Sequence, residues 1–267
     1  MKKFMALLLV AGMTLSLTAC GGSTDTAKTD QADGKDTFTV GFDQDFPPFG
    51  YVGDDGEFTG FDIEMATECA ARMGKKIVLQ PIDWDAKDME LEAGTIDCIW
   101  NGFTMNGRED QYTWTDPYMD NSQVVVVKKD SGINTLADLA GKVVEVQKES
   151  AAETALNDEE HADLTASFAQ LLSVGEYNTA FMDLESGAVD AVAIDIGVAQ
   201  FQIEGKEDQY QILDETISSE QYAVGFFLGN TALRDEVQST LLEMVKDGTF
   251  AEISNKYFGY DVCTLGK

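Results

Sequence analysis

The hydrophobic positions from about residue 37 onward alternate between short runs typical of strands and stretches with helical spacing. Residues 38–42 (FTVGF) predict a strand, which is followed by a Pro47-Pro48 turn. A helix is predicted from Asp62, with Gly74 in the usual position after a helix end. Its apolar face consists of Ile63, Ala66, Cys69, Ala70 and Met73. This alternation predicts an α/β fold with largely parallel sheets.

The same alternation continues to the C-terminus. Further strands are predicted at residues 76–79, 124–129, 143–147, 209–213 and 222–228. A short helix is predicted from Asn134, and two apolar stripes at helical spacing end the chain. These stripes are Leu233, Val237, Leu241 and Val245, then Phe250, Ile253 and Tyr257.

One supersecondary unit occurs twice. Residues 89–102 (MELEAGTIDCIWNG) are matched by residues 182–195 (MDLESGAVDAVAID). Each copy has a glycine after an acidic helix end and, three residues later, an aspartate that opens an apolar strand: Gly94 and Asp97, then Gly187 and Asp190. The repeat indicates two lobes of similar build. Ligands in open α/β sheets lie beyond the carboxyl ends of the strands, so residues 101–104 and Asp195 are the first candidates for a site.

The first 36 residues predict that the chain is exported and attached to a membrane by a lipid. Two lysines precede the apolar residues 4–19, which are too short to span a bilayer comfortably, so residues 1–19 are predicted to be a signal peptide. The sequence LTACG around Cys20 resembles a bacterial lipobox, which implies lipidation of Cys20. The alternative is an ordinary secretory signal with an incidental cysteine. Residues 21–36 contain no aromatic or large aliphatic side chain. Residues 20–36 are therefore predicted to be the lipidated cysteine followed by a flexible tether.

Composition narrows the class of partner. The net charge of -30 argues against binding to nucleic acid or to an anionic membrane surface, while 44% hydrophobic residues indicate a globular chain. The other cysteines show no metal-ligand spacing, and Cys69 and Cys98 are predicted to lie in the core. We therefore expect no metal and no cofactor.

Several motifs follow one another at characteristic spacing: DQDFPPF (residues 43–49), GFDI (60–63), GFT (102–104), Arg108, WTDPY (114–118) and VDA through Asp195 (189–195). This order resembles the family 3 solute-binding proteins of polar amino-acid ABC importers. The resemblance covers essentially the whole chain beyond the tether. It implies a two-lobed periplasmic-binding-protein-like fold of type II, with each lobe a mostly parallel sheet flanked by helices.

The resemblance also implies lobe limits and a hinge. The chain is expected to cross between the lobes near residues 120–123 and 218–222. The first lobe would comprise residues 37–119 and 222–267, and the second residues 120–221.

An amino acid carries a carboxylate and an ammonium on one carbon, so its site needs a fixed cation and a fixed anion. Arg108 offers a planar fork for the carboxylate, and Asp195 from the other lobe would bind the ammonium. Thr104 could add a hydroxyl, and Gly102 allows a close approach of the backbone. The alternatives are a surface ion pair of Arg108 with Glu109 or Asp110, and a helix N-cap role for Asp195.

The family pattern assigns further contacts. Two aromatic residues would sandwich the aliphatic part of the ligand, an aspartate would contact its side chain, and N–H groups at a second-lobe helix start would hold its carboxylate. The complete set of predicted ligand-binding residues is Asp43, Phe46, Trp84, Asn101, Gly102, Thr104, Arg108, Gln147, Ser150 and Asp195.

The sequence departs from the family pattern in three places. The segment between Thr104 and Arg108 is one residue shorter than usual. Glu149-Ser150-Ala151 replaces the usual Gly-Ser-Thr, and Trp100-Asn101 is bulkier than usual. Asp43 and Glu149 favour a cationic or amide ligand such as lysine, arginine or glutamine, whereas Trp84, Trp100 and Phe103 would suit a larger or sulfur-containing one.

The expected protein is a monomeric, non-enzymatic receptor, lipid-anchored outside the bacterial cytoplasmic membrane, that delivers a free amino acid to a permease. Two alternatives remain. An enzyme of the cyclohexadienyl-dehydratase type shares the fold but needs a positioned acid or base. A sensor for a signalling receptor would use the same closed form.

Overall fold

The computed structural model describes residues 36–266. The predicted signal peptide, Cys20 and all but the last residue of the tether lie outside the described residues. The described helices are α1 (Phe61–Arg72), α2 (Lys87–Ala93), α3 (Ala151–Asn157), α4 (Ala162–Ser167), α5 (Tyr177–Ser186), α6 (Ile196–Ile203), α7 (Thr231–Asp247) and α8 (Thr249–Phe258). The described strands are β1 (Thr37–Phe42), β2 (Asp45–Phe46), β3 (Gly50–Val52), β4 (Phe58–Thr59), β5 (Lys76–Pro81), β6 (Cys98–Ile99), β7 (Thr113–Trp114), β8 (Met119–Lys128), β9 (Val143–Gln147), β10 (Gln170–Val174), β11 (Ala191–Asp195), β12 (Tyr210–Ile212), β13 (Ser218–Tyr222) and β14 (Gly225–Phe226).

Two lobes form around two larger sheets, which confirms the predicted fold class. The first sheet has the order β5-β1-β6-β14-β7, and the second has the order β10-β9-β11-β8-β12 with β13 also paired to β8. A small sheet, β2-β3-β4, lies outside both. In the first lobe α1 forms as predicted, because its buried residues recur at helical spacing: Phe61, Asp62, Ile63, Met65, Ala66, Cys69 and Ala70.

The expectation of mostly parallel sheets is wrong in the second lobe. There β9 runs parallel to β10 and β11, but β8 is antiparallel to β11, β12 and β13. Parallel neighbours need a helical crossover, whereas β8 enters this sheet directly from the first lobe. The first sheet is also mixed, because β14 is antiparallel to β6 and β7.

The two strands that connect the lobes are β8 and β13. They pair antiparallel from Ser218 opposite Gln123 to Tyr222 opposite Met119. Tyr222 also forms a bridge with Thr104 of the first lobe. The predicted single strand at 222–228 is wrong: the chain leaves β13 at Tyr222 and joins the first sheet as β14, a change of sheet that an apolar run does not reveal.

The two copies of the sequence repeat have the same local structure. Gly94 and Gly187 both end a helix in the left-handed conformation, with φ of 73° and 81°. The Asp97 carboxylate accepts the Thr39 N–H at 2.8 Å. The Asp190 carboxylate accepts the Val143 N–H at 2.8 Å in the same way. Each aspartate thus joins the strand that it opens to the neighbouring strand.

We expect the Asp97→Ala and Asp190→Ala variants each to lose about 1–2 kcal/mol of unfolding free energy, because a strand N–H loses its acceptor. Urea unfolding of the protein that comprises residues 37–267 measures this loss. Asp97→Asn and Asp190→Asn keep an oxygen acceptor and should lose less. Equal unfolding midpoints for the alanine variants and the wild type would contradict the shared role.

Candidate functional site

A cavity lies between the lobes. Nine of the ten residues predicted to bind ligand line it, and Asp43 is the exception. The lining residues are Phe46, Trp84, Asn101, Gly102, Thr104, Arg108, Gln147, Ser150, Ala151 and Asp195. Of the lining residues, only Ala151 was not predicted to bind ligand.

The first-lobe wall is built on the segment after β6. The Gly102 N–H donates to the carboxylate of Asp62 at 2.6 Å, and the Tyr118 hydroxyl donates to the same carboxylate. Gly102 has φ of 55°, and a Cβ there would lie 3.0 Å from the Phe46 ring and 3.1 Å from the Tyr222 ring. Glycine is therefore required both by the backbone conformation and by the space.

Asp62 is completely buried, and burial raises its pKa to about 7, against the lowering effect of these hydrogen bonds. It opens α1 and fixes the loop that carries Gly102 and Thr104. The GFDI motif contained Asp62, but its part in supporting the cavity wall was not predicted.

Arg108 reaches across the cleft. Its guanidinium donates to the backbone carbonyl of Thr104 at 3.3 Å and to that of Glu149, in the other lobe, at 3.1 Å. It lies 5.4 Å from the centre of the Phe103 ring. The alternative ion pair with Glu109 or Asp110 is not among the ion pairs of residues 36–266.

The shortened loop before Arg108 forms a tight turn. The Arg108 N–H donates to the Met105 carbonyl at 2.9 Å, and Gly107 takes a positive φ of 78°. The Met105 N–H in turn donates to the Gln221 carbonyl at 2.9 Å, which ties the loop to β13. The missing residue is accommodated locally.

Asp195 stands at the end of β11, where α6 begins. Asp195 occupies the N-cap position of α6, but its side chain makes no capping hydrogen bond. Instead one carboxylate oxygen accepts from the amides of Asn121 and Gln123, each at 2.8 Å, and from the Tyr222 hydroxyl.

A second buried acid, Glu220, lies beside Asp195 and was not predicted. One of its oxygens accepts from Thr104 at 2.9 Å and from the amides of Asn121 and Gln123, each at 2.7 Å. Strand register explains the cluster, because Asn121 lies opposite Glu220 and Gln123 lies opposite Asp195. Burial, and then the charge of Glu220, raises the pKa of Asp195 to about 7. The available signal was the run of polar residues in each strand, residues 120–123 in β8 and 218–221 in β13.

Asp43 supports the cavity wall from outside. Its carboxylate accepts from the Gln147 amide of the other lobe at 2.7 Å, and its N–H donates to Asn101 at 3.1 Å. Burial raises the pKa of Asp43 to about 6. Ser150 caps α3 by accepting the Glu153 N–H at 3.1 Å, so its hydroxyl is already engaged.

The aromatic residues divide into cavity wall and core. Phe46 and Trp84 line the cavity. Trp100 and Phe103 are fully buried and do not line it, and Phe103 packs between Trp84, Tyr112 and Trp114. Their proposed contact with a large ligand therefore has no support in this geometry.

Two ion pairs of opposite polarity cross the cleft. Lys87 of the first lobe pairs with Glu149 of the second at 2.8 Å, and Asp85 of the first pairs with Lys148 of the second at 2.7 Å. Lys87 is 3% exposed and lies 5.6 Å from the centre of the Trp84 ring. Glu149 has a positive φ of 58°, which is uncommon for a residue with a Cβ. The glutamate that replaces the usual glycine thus bridges the two lobes.

Within residues 36–266, no three His, Cys, Asp or Glu side chains are grouped so that they could hold a metal ion. Over the same range, no helix has the length and apolarity needed to cross a bilayer.

Two lobes joined by two paired strands, with a cavity between them, define a cleft-type binding protein. The chain belongs to family 3 of the bacterial extracellular solute-binding proteins, whose family model matches residues 38–260.

Similar proteins support this assignment. The L-cystine-binding protein TcyJ of Escherichia coli K12 is 31% identical over 97% of this chain and 94% of its own length. The arginine-binding extracellular protein ArtP of Bacillus subtilis 168 is 29% identical over 97% of this chain and 98% of its own length. An ABC-transporter substrate-binding protein from Streptococcus pneumoniae, solved with bound histidine, superposes with a TM-score of 0.82 and 35% identity, covering 86% of this chain and 95% of the other.

Asp62 makes stability depend on pH. Its folded-state pKa of about 7 lies above the ordinary value of 3.8, so the folded protein holds more protons between these values and loses stability as pH rises through them. We expect Asp62→Asn to remove the contribution of Asp62 to this loss, at most about 1.4 kcal/mol per pH unit, and to leave the contributions of Asp43 and Asp195 in place. Urea unfolding between about pH 4 and pH 8 measures it.

The exposed-acid variant Asp54→Asn is the matched control and should follow the wild-type pH profile. Parallel profiles for the wild type and Asp62→Asn would contradict the assignment of this pH dependence to Asp62.

Proposed function

We propose that this protein is the extracytoplasmic binding component of an amino-acid ABC importer, which closes its lobes around one free amino acid and delivers it to the permease. The observation that carries the proposal is that a guanidinium, Arg108, and a buried carboxylate, Asp195, line one small cavity from different lobes. Family membership and the amino-acid-binding relatives support it.

The two charged groups match the two charges of an amino acid. Arg108 uses two of its five N–H donors on backbone carbonyls, which leaves donors for the ligand carboxylate. Asp195 would accept the ammonium, and Gly102 and Thr104 would complete the polar wall. A ligand held by both lobes contacts the closed form more than the open form, so its binding favours closure. The β8–β13 pair would be the hinge, close to the predicted crossings.

The ligand side chain would lie between Phe46 and Trp84. Two acids that favoured a cationic side chain are otherwise engaged, since Asp43 bonds to Gln147 and Glu149 pairs with Lys87. Two of the relatives are named as cystine-binding and arginine-binding proteins. Two similar proteins were solved with a bound amino acid, histidine in one and glutamine in the other, an ancestral protein. These four amino acids are the ligands to test first.

We propose no enzymatic activity. One structural neighbour, with a TM-score of 0.75 and 29% identity, is an ancestral amino acid-binding protein described as a precursor of cyclohexadienyl dehydratase. The described histidine, His161, does not line the cavity, and no observation favours a dehydratase or a receptor-docking sensor over a transport protein.

The test is titration calorimetry of the soluble folded part, from Thr37 onward, after unfolding and refolding to remove co-purified ligand. One amino acid should bind tightly at a ratio of one to one. Arg108→Ala and Asp195→Asn should each weaken it by roughly 30- to 1,000-fold, because each leaves a ligand charge unpaired in a closed site. Arg72→Ala, whose guanidinium pairs with Glu68 and Asp247, is the matched control.

Binding unaffected by both site variants would refute the proposed site. If no amino acid binds to a folded wild-type protein, the ligand class is wrong, and peptides, organic acids and prephenate become the compounds to test.

We also propose that Cys20 anchors the mature monomer to the outer face of the cytoplasmic membrane. Firm anchoring requires more than one acyl chain, which lipoprotein processing supplies. In bacterial cells expressing the full chain, Cys20→Ser should move the protein from the membrane fraction to the soluble extracytoplasmic fraction and abolish labelling by a fatty-acid analogue. Cys69→Ser, in the folded part, is the control, and membrane retention of Cys20→Ser would exclude the anchor.

A further inference from the structure

The cluster around Asp195 contains two carboxylates and no cation. Asp195 is 4% exposed and Glu220 is 5% exposed. Asn121 and Gln123 each donate to one oxygen of Asp195 and one oxygen of Glu220, so the two acids lie on either side of the same amide groups. None of the ion pairs within residues 36–266 involves either acid.

Two buried charges of one sign repel each other strongly, and amide dipoles offset this repulsion only in part. Buried acids in such a pair keep a proton between them unless a cation neutralises them. Asp195 lines the ligand cavity and Glu220 lies behind it, bonded to the cavity residue Thr104. A cation placed in the cavity would therefore be attracted by both acids.

We propose that Asp195 and Glu220 act as one unit that holds a shared proton in the ligand-free protein and releases it to solvent when an ammonium group of the ligand binds. The inference rests on the proposed function and adds Glu220, which does not line the cavity, as a positioning residue for the ligand cation. The ammonium keeps its own protons, and one proton passes from the acid pair to the buffer. The pair thus requires a ligand that carries a positive charge at this end.

The other titratable groups near the pair do not supply a cation to it. They are Tyr222 on β13, which donates to Asp195, Tyr177 on α5, Tyr118 before β8, Asp62 on α1 behind Gly102, and Arg108, which points to two backbone carbonyls. The tyrosines have pKa values raised well above their usual range by burial, so they stay neutral at physiological pH.

The first measurement needs no ligand. The carboxyl carbon signal of Asp195 is followed by NMR against pH in the wild type and in Glu220→Gln. We expect Asp195 in the wild type to titrate near pH 7. In the variant it should titrate lower by about one pH unit or more, because the neighbouring charge is gone. Identical titrations would overturn the shared proton.

Glu145→Gln is the matched control. Glu145 is a buried acid on β9 whose pKa burial also raises, but it does not line the cavity. Its substitution should leave the Asp195 titration unchanged. If it moves that titration as much as Glu220→Gln does, the effect is not specific to the pair and the proposal fails.

The second measurement counts protons on binding. L-arginine, L-glutamine and L-cystine are titrated near pH 6 in buffers of different ionisation enthalpy. We expect release of up to about one proton in the wild type and less in Glu220→Gln, with wild-type affinity rising up to roughly tenfold per unit from pH 5 to 7.

Binding without proton release in the wild type would overturn this proposal and leave the proposed function intact, and this holds even if Glu220→Gln does not fold. If no amino acid binds to the folded wild-type protein, the proposed function fails and the release step fails with it. The ligand-free carboxyl titration then still decides whether the two acids share a proton.

Discussion

The pairing of the two strands that connect the lobes determines where the protein places its buried charge. Strand alternation puts Asn121 and Gln123 on one face of β8 and puts Glu220 and Tyr222 on one face of β13. The register then sets amides opposite acids, and Asp195 joins them from the end of β11. A polar network of this kind must be satisfied as a unit, because each member left without a partner in the interior costs free energy.

This network links the ligand cavity to the connecting strands. Thr104 and Asp195 line the cavity, and each bonds to a residue of β13, Glu220 and Tyr222 respectively. A change in the angle between the lobes would alter these bonds, and a change in the charge of the cavity would alter their strength. The part of the molecule that would bend and the part that would bind share the same side chains.

Much of this arrangement could be predicted from the sequence, for physical reasons. The apolar spacing of α1, the repeat around Asp97 and Asp190, and the order of the motifs all depend on local patterns or family spacing. Glu220 was missed and Asp43 was placed in the cavity because both depend on which strands and lobes meet, and a single sequence does not encode strand register in any short window. The antiparallel course of β8 was missed for the same reason.

The ion pairs across the cleft, Lys87 with Glu149 and Asp85 with Lys148, run in opposite directions. Each lobe therefore contributes one positive and one negative side chain to the ion pairs across the cleft. A chimaera that takes one lobe from a relative with glycine at position 149 would remove the closer ion-pair partner of the buried Lys87 and leave it with the Asp88 carboxylate of its own lobe at 3.7 Å, and a poorly paired ammonium is costly to bury. The two lobes of this chain are thus matched to each other, so exchange of a single lobe between relatives requires the facing charges to be exchanged with it.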